Sequence, residues 1–312
     1  MDSSHRRLAI GAALAAVAAG VVTAARPNEP PVPRRTGTSA GGLEFLAVGD
    51  GPRSLLSIPG GPGSDLPEGL LGRLTERELR PYVRAGFTVW TVTRPRDMAQ
   101  GHTVADMADD YARFVREELG GAVDVVLGTS YGGMVALHLA AAHPGTASAV
   151  VLVGAAAQVE EWGTDVDSRW ARLRAEGRDA EAGAVFLEYL LPEPRHERTR
   201  RVLGPLAGRL ASGSATPPGD LLVEADAERS FDARDVLAQI TAPVLLLAGE
   251  ADRFFSLETV RETAAGIRDC TLVTYPGRGH VGTVSSSDVP HDVLVWLEQQ
   301  GLGTRDGRHP EG

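Results

Sequence analysis

Short apolar runs alternate with longer stretches of helical period from residue 43 to residue 299. The apolar runs are too short for typical helices and rich in β-branched residues, so they predict buried strands. These strands are Leu43–Val48, Ser54–Ile58, Phe87–Thr93, Val123–Leu127, Ala149–Val153, Val244–Ala248 and Thr271–Tyr275. Helices are predicted over Pro67–Arg84, from Thr103 onward, and over Tyr131–His143, Leu257–Ile267 and Val289–Gln299. This alternation predicts an α/β fold with a mostly parallel, doubly wound sheet covered on both faces.

One long stretch, residues 154–230, interrupts the alternation. It is charged, has a helical period, is broken by prolines and contains no strand pattern. We therefore predict a helical cap here, inserted between two parts of a sheet domain, residues 36–153 and 231–300. Residues 301–312 are polar and predict a flexible tail.

Residues 1–35 differ from the rest of the chain. Arg6 and Arg7 precede an uncharged run over residues 8–25, and a segment rich in proline and arginine follows. A charged start before an apolar run is typical of an export signal. Two interpretations stay open: a signal peptide, or an N-terminal membrane anchor with a linker that brings residues 8–25 to a membrane. Both predict an exported or anchored protein, and the alternative is a cytoplasmic protein whose start is misassigned.

The amino-acid composition excludes several kinds of catalytic and binding site. All 31 basic residues are arginine, against 41 acidic residues, for a net charge of −10. Without lysine, the chain has no phosphate-binding Gly-Lys-Ser/Thr motif and no Schiff-base residue. A single cysteine, Cys270, forms neither an intrachain disulfide nor a cysteine-rich metal site. The negative charge argues against nucleic-acid binding, and the sequence implies no metal or organic cofactor.

The pattern Gly-x-Ser-x-Gly occurs twice, around Ser39 and around Ser130. In a nucleophile elbow, this pattern must form a sharp turn between a strand and a helix. Ser39 follows a segment rich in proline and arginine, so we interpret it as part of a linker. Ser130 follows the predicted strand Val123–Leu127 and precedes a helical pattern, so it is the candidate nucleophile.

A serine hydroxyl needs a neighbouring base, and the base needs a carboxylate to orient it. Asp252 and His280 each come shortly after a late predicted strand, and they follow Ser130 in the order that this fold requires. We therefore predict Asp252 as the acid and His280 as the base. Glu250 and Glu160 are the alternative acids.

The developing negative charge of an acyl-transfer intermediate needs hydrogen-bond donors. The backbone N–H of Tyr131, directly after the candidate nucleophile, is predicted to be one donor. The second is expected from the loop after the strand Ser54–Ile58, which reads Pro-Gly-Gly-Pro-Gly over residues 59–63. Gly61 is the predicted donor in this loop.

With these residues assigned, the chain resembles the α/β-hydrolase superfamily over roughly residues 40–300. The loop at 59–63 is similar to the His-Gly-Gly-Pro-Gly motif of proline iminopeptidase-like members, but Pro59 replaces the histidine. That histidine usually shapes the loop, so the resemblance implies that the oxyanion site survives while a specific peptidase assignment is weakened. The superfamily also implies that the cap, residues 154–230, sets substrate choice.

The cap contains four aromatic side chains of interest: Trp162, Trp170, Phe186 and Tyr189. They could line an apolar substrate pocket, or they could pack the cap helices against the sheet domain. The sequence leaves both interpretations open.

The main hypothesis is a serine hydrolase that cleaves a small-molecule carboxylic ester, or an amide or thioester, through an acyl-Ser130 intermediate. The first alternative is an acyltransferase or cyclising, thioesterase-like enzyme of secondary metabolism that uses the same triad. The second is a ligand-binding protein on the same fold without catalytic activity, because a fold does not determine function. The sequence does not indicate the oligomeric state.

Overall fold

Eight strands form one sheet in the computed structural model, which describes residues 32–61, 63–66, 78–211 and 215–302. They are β1 (Arg34–Thr38), β2 (Glu44–Val48), β3 (Arg53–Ile58), β4 (Phe87–Val92), β5 (Val123–Thr129), β6 (Ala147–Val153), β7 (Val244–Gly249) and β8 (Cys270–Tyr275). The spatial order is β1-β2-β4-β3-β5-β6-β7-β8. The β1–β2 and β2–β4 pairs are antiparallel, and all later pairs are parallel. The predicted α/β class and mostly parallel sheet are confirmed.

The inner strands are apolar throughout because both faces of the sheet are covered. All six residues of β7 are buried, and successive side chains enter two different cores. Leu246 belongs to the cluster on one face, and its neighbour Leu245 belongs to the cluster on the other. This alternation follows from the two-residue period of a strand. A continuous apolar run is therefore what a doubly covered parallel strand requires.

The labelled helices are α1 (Val104–Glu118), α2 (Tyr131–Ala142), α3 (Glu161–Ala175), α4 (Asp179–Phe186), α5 (Glu197–Ala211), α6 (Pro218–Arg229), α7 (Leu257–Gly266), α8 (His280–Val284) and α9 (Asp288–Gln299). A capping box begins α1: the Thr103 hydroxyl accepts from the Asp106 N–H, and the Asp106 carboxylate accepts from the Thr103 N–H. This pair satisfies N–H groups that the first turn of a helix leaves without partners.

The stretch without a strand pattern contains α3 to α6, which lie in the chain between β6 and β7. These helices have a small core of their own, in which Val166, Trp170 and Leu221 are buried together. Between Gly154 and Arg229 the described residues include no strand, and a single isolated bridge, Gln158 with Asp232, ties the two ends of the segment together. We refer to α3–α6 as the cap.

The first strand was not predicted. Arg34 and Arg35 were assigned to a linker, but they belong to β1, which pairs with β2 from Arg34 opposite Val48 to Thr38 opposite Glu44. The β1 residues are mostly exposed, because β1 is an edge strand. It therefore lacks the apolar pattern by which a strand is found in a sequence.

The predicted export leader, residues 1–31 in particular, lies outside the described residues, as does the beginning of the helix predicted over Pro67–Arg84. Residues 78–84 of that prediction are helical. Among the described residues, no helix combines the length and the hydropathy needed to cross a bilayer. The export prediction stays a prediction.

Candidate active site

Ser130 occupies a sharp turn between β5 and α2. Its φ of 52° makes it one of two non-glycine residues with a positive φ in the described chain. The flanking glycines allow this turn, because a Cβ on Gly132 would lie 2.1 Å from the Ile58 oxygen and one on Gly128 would lie 2.4 Å from the Gly132 oxygen. A strained, tightly packed turn of this kind lifts the serine above the sheet edge.

A hydrogen-bonded relay connects three side chains that are far apart in the sequence. Ser130 Oγ lies 2.9 Å from His280 Nε2, and His280 Nδ1 lies 2.8 Å from Asp252 Oδ2. The Asp252 carboxylate is fully buried, and its other oxygen accepts hydrogen bonds from the backbone N–H groups of Phe254 at 2.8 Å and Phe255 at 3.3 Å. A carboxylate held in this way keeps the proton on Nδ1 and leaves Nε2 free to accept from the serine hydroxyl.

The relay lies at the carboxyl end of the parallel strands, where open α/β sheets bind ligands. Ser130 follows β5, Asp252 follows β7, and His280 follows β8 at the start of α8. The imidazole is also packed against aromatic rings, with centroids 4.6 Å away for Phe254 and 5.8 Å away for Phe255. The base is therefore held against a dry, apolar wall.

The second Gly-x-Ser-x-Gly serine and the two alternative acids make contacts outside the relay. The Ser39 hydroxyl accepts from the Leu43 N–H at 3.1 Å in the turn between β1 and β2, so this serine belongs to a turn of the sheet rather than to a linker. Glu250 accepts from Thr274, and Glu160 accepts from Thr259. The hydrogen bonds of His280 go to Asp252 and Ser130 instead.

The two segments that carry the predicted oxyanion donors adjoin the candidate nucleophile. Tyr131 begins α2, where the first N–H groups of a helix have no partner within the helix. The loop at 59–63 passes against the elbow, since a Cβ on Gly60 would lie 3.0 Å from Ser130 Cβ. Gly61 has a φ of 74°, a conformation that glycine adopts without strain. Pro62 lies outside the described residues.

The alpha/beta hydrolase family profile matches residues 55–294, a region that includes most of the sheet, the whole cap and all three relay residues. The chain belongs to the α/β-hydrolase family. The predicted resemblance and the predicted enzyme class, a hydrolase, are therefore confirmed.

Individual relatives of this hydrolase are distant. The pimeloyl-[acyl-carrier protein] methyl ester esterase of Aromatoleum aromaticum is 25% identical over 244 residues, which cover 73% of this chain and 93% of that protein. A hydrolase from Pseudomonas aeruginosa aligns with a TM-score of 0.65 at 24% identity, over 85% of this chain and 98% of that one. The enol-lactonase from Burkholderia xenovorans aligns with a TM-score of 0.64 at 18% identity, over 85% of this chain and 100% of that one. The similarity to these two structures shows a shared fold.

A buried arginine, which the sequence analysis missed, holds the loop of the hydrolase at 59–63. The Arg94 guanidinium donates to the carbonyl oxygens of Pro59 at 2.9 Å and of Gly61 and Gly63 at 2.8 Å each. It also pairs with Glu224 of α6, with 2.8 Å between Nε and Oε1. Arg94 and Glu224 are 0% and 1% exposed, so this ion pair is completely shielded from water.

A second buried group of acids lies in the cap of the hydrolase. Asp167 of α3 accepts a hydrogen bond from the Tyr189 hydroxyl and shares another with Glu228 of α6. Burial raises the pKa of both carboxyl groups, and the charge of Asp167 raises the pKa of Glu228 further. Burial and the charge of Asp167 therefore both favour the protonated form of Glu228.

The spacing of the acids along α6 is visible in the sequence. Asp220, Glu224 and Glu228 follow one another at four-residue spacing, so they lie on one face of α6. All three are buried, at 2%, 1% and 4% exposure. Acidic residues are mostly exposed in proteins. Acids at this spacing in a predicted cap helix therefore indicate a solvated helix face, and nothing in the sequence indicates that these three are buried.

The four cap aromatics are distributed between two environments. The rings of Trp162 and Tyr189 contact Phe254, with centroids 5.2 Å and 5.4 Å away, so they belong to the wall beside the relay. Trp170 packs inside the cap core, and Phe186 is 39% exposed against Tyr189. Among the described residues, no group of histidine, cysteine and acidic side chains is arranged to hold a metal ion.

Proposed function

We propose that this hydrolase cleaves small-molecule carboxylic esters through an acyl-enzyme on Ser130. The supporting observation is the relay from Ser130 through His280 to the buried Asp252, with contacts of 2.9 Å and 2.8 Å at a strained elbow. The esterase named among the relatives is in line with ester chemistry.

In the first half of the reaction, Ser130 Oγ attacks the ester carbonyl while His280 Nε2 takes the hydroxyl proton. The negative charge on the carbonyl oxygen is stabilised by the N–H groups of Tyr131 and Gly61. When the tetrahedral intermediate collapses, the ester C–O bond breaks and His280 returns the proton to the leaving alcohol. Asp252 stabilises the imidazolium that exists between these steps.

In the second half, His280 removes a proton from a water molecule that attacks the acyl-Ser130 ester. The carboxylic acid leaves, and the proton returns to Ser130 Oγ. The reaction therefore consumes one water and releases one acid and one alcohol. It requires no group beyond the side chains and backbone N–H groups already described.

The test is covalent labelling with a fluorophosphonate, with the adduct located by mass spectrometry. We expect the adduct on Ser130 and none on Ser39, which has the same Gly-x-Ser-x-Gly motif. Hydrolysis of p-nitrophenyl esters of increasing chain length should fall by about 10³-fold or more in Ser130→Ala and stay unchanged in Ser39→Ala. An unlabelled Ser130 in the folded protein would overturn the proposal.

Acyl transfer is the second candidate, and the apolar wall beside the base supports it. Phe254 and Phe255 are 4% and 1% exposed where their rings pack on His280, and such a surface excludes water from the acyl-enzyme. Product analysis with an added acceptor alcohol separates the two candidates. A new ester as the main product would favour transfer, and the free acid alone would favour hydrolysis.

A further inference from the structure

We propose that Arg94 and Glu224 are positioning residues that hold the oxyanion loop in its catalytic shape, so that the loop is complete only when the cap is docked. This inference rests on the proposed function, since it concerns the donors of that reaction. We use the name oxyanion loop for residues 59–63.

Three carbonyl oxygens of the oxyanion loop bind one guanidinium. Arg94 Nη1 binds the Pro59 oxygen, and Nη2 binds the oxygens of Gly61 and Gly63. The Pro59 and Gly61 oxygens belong to the peptides immediately before and after the one that carries the Gly61 N–H, the predicted donor. By holding both of these planar peptides, Arg94 restricts the direction in which the Gly61 N–H points.

Pro59 supplies neither an N–H group nor a side-chain donor with which the loop could hold itself. Arg94, two residues after the end of β4, reaches the loop carbonyls and does so without exposure to solvent.

Glu224 connects this arrangement to the cap. Its Oε1 and Oε2 atoms bind Arg94 Nε at 2.8 Å and Nη2 at 3.1 Å, and Oε2 also accepts from the Gly63 N–H. Its backbone oxygen accepts from the Tyr131 hydroxyl at 3.0 Å. The Arg94 guanidinium lies 4.5 Å from the centroid of the same tyrosine ring. One cap residue therefore contacts both segments that carry the predicted donors.

Because Glu224 belongs to α6, any movement of the cap away from the sheet removes its carboxylate from Arg94 and from the Gly63 N–H. The guanidinium would then lose the counter-ion that compensates for its burial, which is costly. The loop and the cap are therefore expected to close together. This links the binding of a substrate beneath the cap to stabilisation of the transition state.

The experiment compares Glu224→Gln with Glu228→Gln, which alters the next acid along the same face of α6. Glu228 is similarly buried, and the hydrogen bond of its carboxyl group goes to Asp167 rather than to Arg94 or Gly63, so it is a matched control. We measure kcat and KM on p-nitrophenyl butyrate, per active site titrated with fluorophosphonate. We also measure inhibition by a trifluoromethyl ketone, which places an oxyanion on the serine adduct.

In Glu224→Gln, kcat should fall by about 10- to 100-fold with KM within about twofold, because a displaced donor is lost only in the transition state. The affinity for the ketone should fall by the same factor as kcat/KM. Glu228→Gln should change each value by less than about twofold. Glu224→Asp, which keeps the charge at shorter reach, should recover part of both losses.

A merely structural role for Glu224 predicts fewer titratable sites but an unchanged kcat per site and an unchanged ketone affinity. That outcome in Glu224→Gln overturns the inference. If Glu224→Gln does not fold, the same two measurements on Glu224→Asp decide, and unchanged values overturn it. If the parent enzyme hydrolyses the ester and neither substitution changes kcat or the ketone affinity, only this inference is refuted. A parent protein without a Ser130 adduct refutes the proposed function itself.

Discussion

Replacing Glu228 by glutamine should stabilise the hydrolase at neutral and alkaline pH. Glu228 is 4% exposed and shares a hydrogen bond with Asp167. The nearby cation, Arg94, is already paired with Glu224. Burial and the charge of Asp167 therefore raise the pKa of Glu228 well above its ordinary value. Glutamine has the shape of the protonated side chain and still donates to Asp167.

The magnitude follows from proton linkage. Unfolded Glu228 loses its proton near its ordinary pKa of about 4.3. Folded Glu228, whose pKa is raised, keeps its proton to a higher pH. Between these two pKa values the unfolded state binds fewer protons, so the free energy of unfolding falls as pH rises, by at most about 1.4 kcal/mol per pH unit for one proton. Glutamine does not titrate, so it removes this loss of stability.

The assay is urea unfolding at one-unit steps from about pH 5 to pH 8, with Glu298→Gln as an exposed control. The gain in the free energy of unfolding from Glu228→Gln should grow with pH, and the curve for Glu298→Gln should follow that of the parent. A difference between Glu228→Gln and the parent that stays constant across this range would show that Glu228 is ionised in the folded protein. The interpretation of the acid pair would then be wrong.

Three further predictions concern the relay, the elbow and the core. Asp252→Asn should lower kcat by about 10³- to 10⁴-fold in steady-state assays, because an amide stabilises the wrong tautomer of His280; a loss below tenfold contradicts the relay. Gly132→Ala, whose Cβ meets a backbone oxygen at 2.1 Å, should lose at least about 1–3 kcal/mol in urea unfolding, whereas Gly219→Ala, with open space around it, should not. Leu246→Ala, fully buried in β7, should cost about 2–5 kcal/mol in the same assay, and an unchanged midpoint would contradict its place in the core.

The residues of the relay were predictable because each directly follows a strand that has a strong local signal. Uninterrupted apolar runs identified β5, β7 and β8, and parallel strands bring their carboxyl ends to one edge of the sheet. Ser130, Asp252 and His280 therefore had to lie near the same edge. The contacts of 2.9 Å and 2.8 Å between them depend on loop conformations that no local pattern encodes.

The strand β1, in contrast to the relay, was not predictable from the sequence. Its five residues are mostly exposed, and the element exists because β2 offers backbone hydrogen-bond partners in register. Sequence periodicity reports burial on one face, so an exposed edge strand leaves little trace of it. Because β1 was missed, Ser39 was assigned to a linker, although it belongs to the turn that joins β1 to β2.

By itself, the sequence determined the α/β class, the order of the strands β2 to β8, the insertion of helices after β6 and the elbow at Ser130. These properties are local, because they depend on burial period and turn chemistry within a few residues. Only the tertiary structure decided that Arg94 pairs with Glu224, 130 residues away, and that the carboxyl groups of Asp167 and Glu228 are buried together. A charged side chain is normally solvated, so its burial depends entirely on a partner that the fold brings to it.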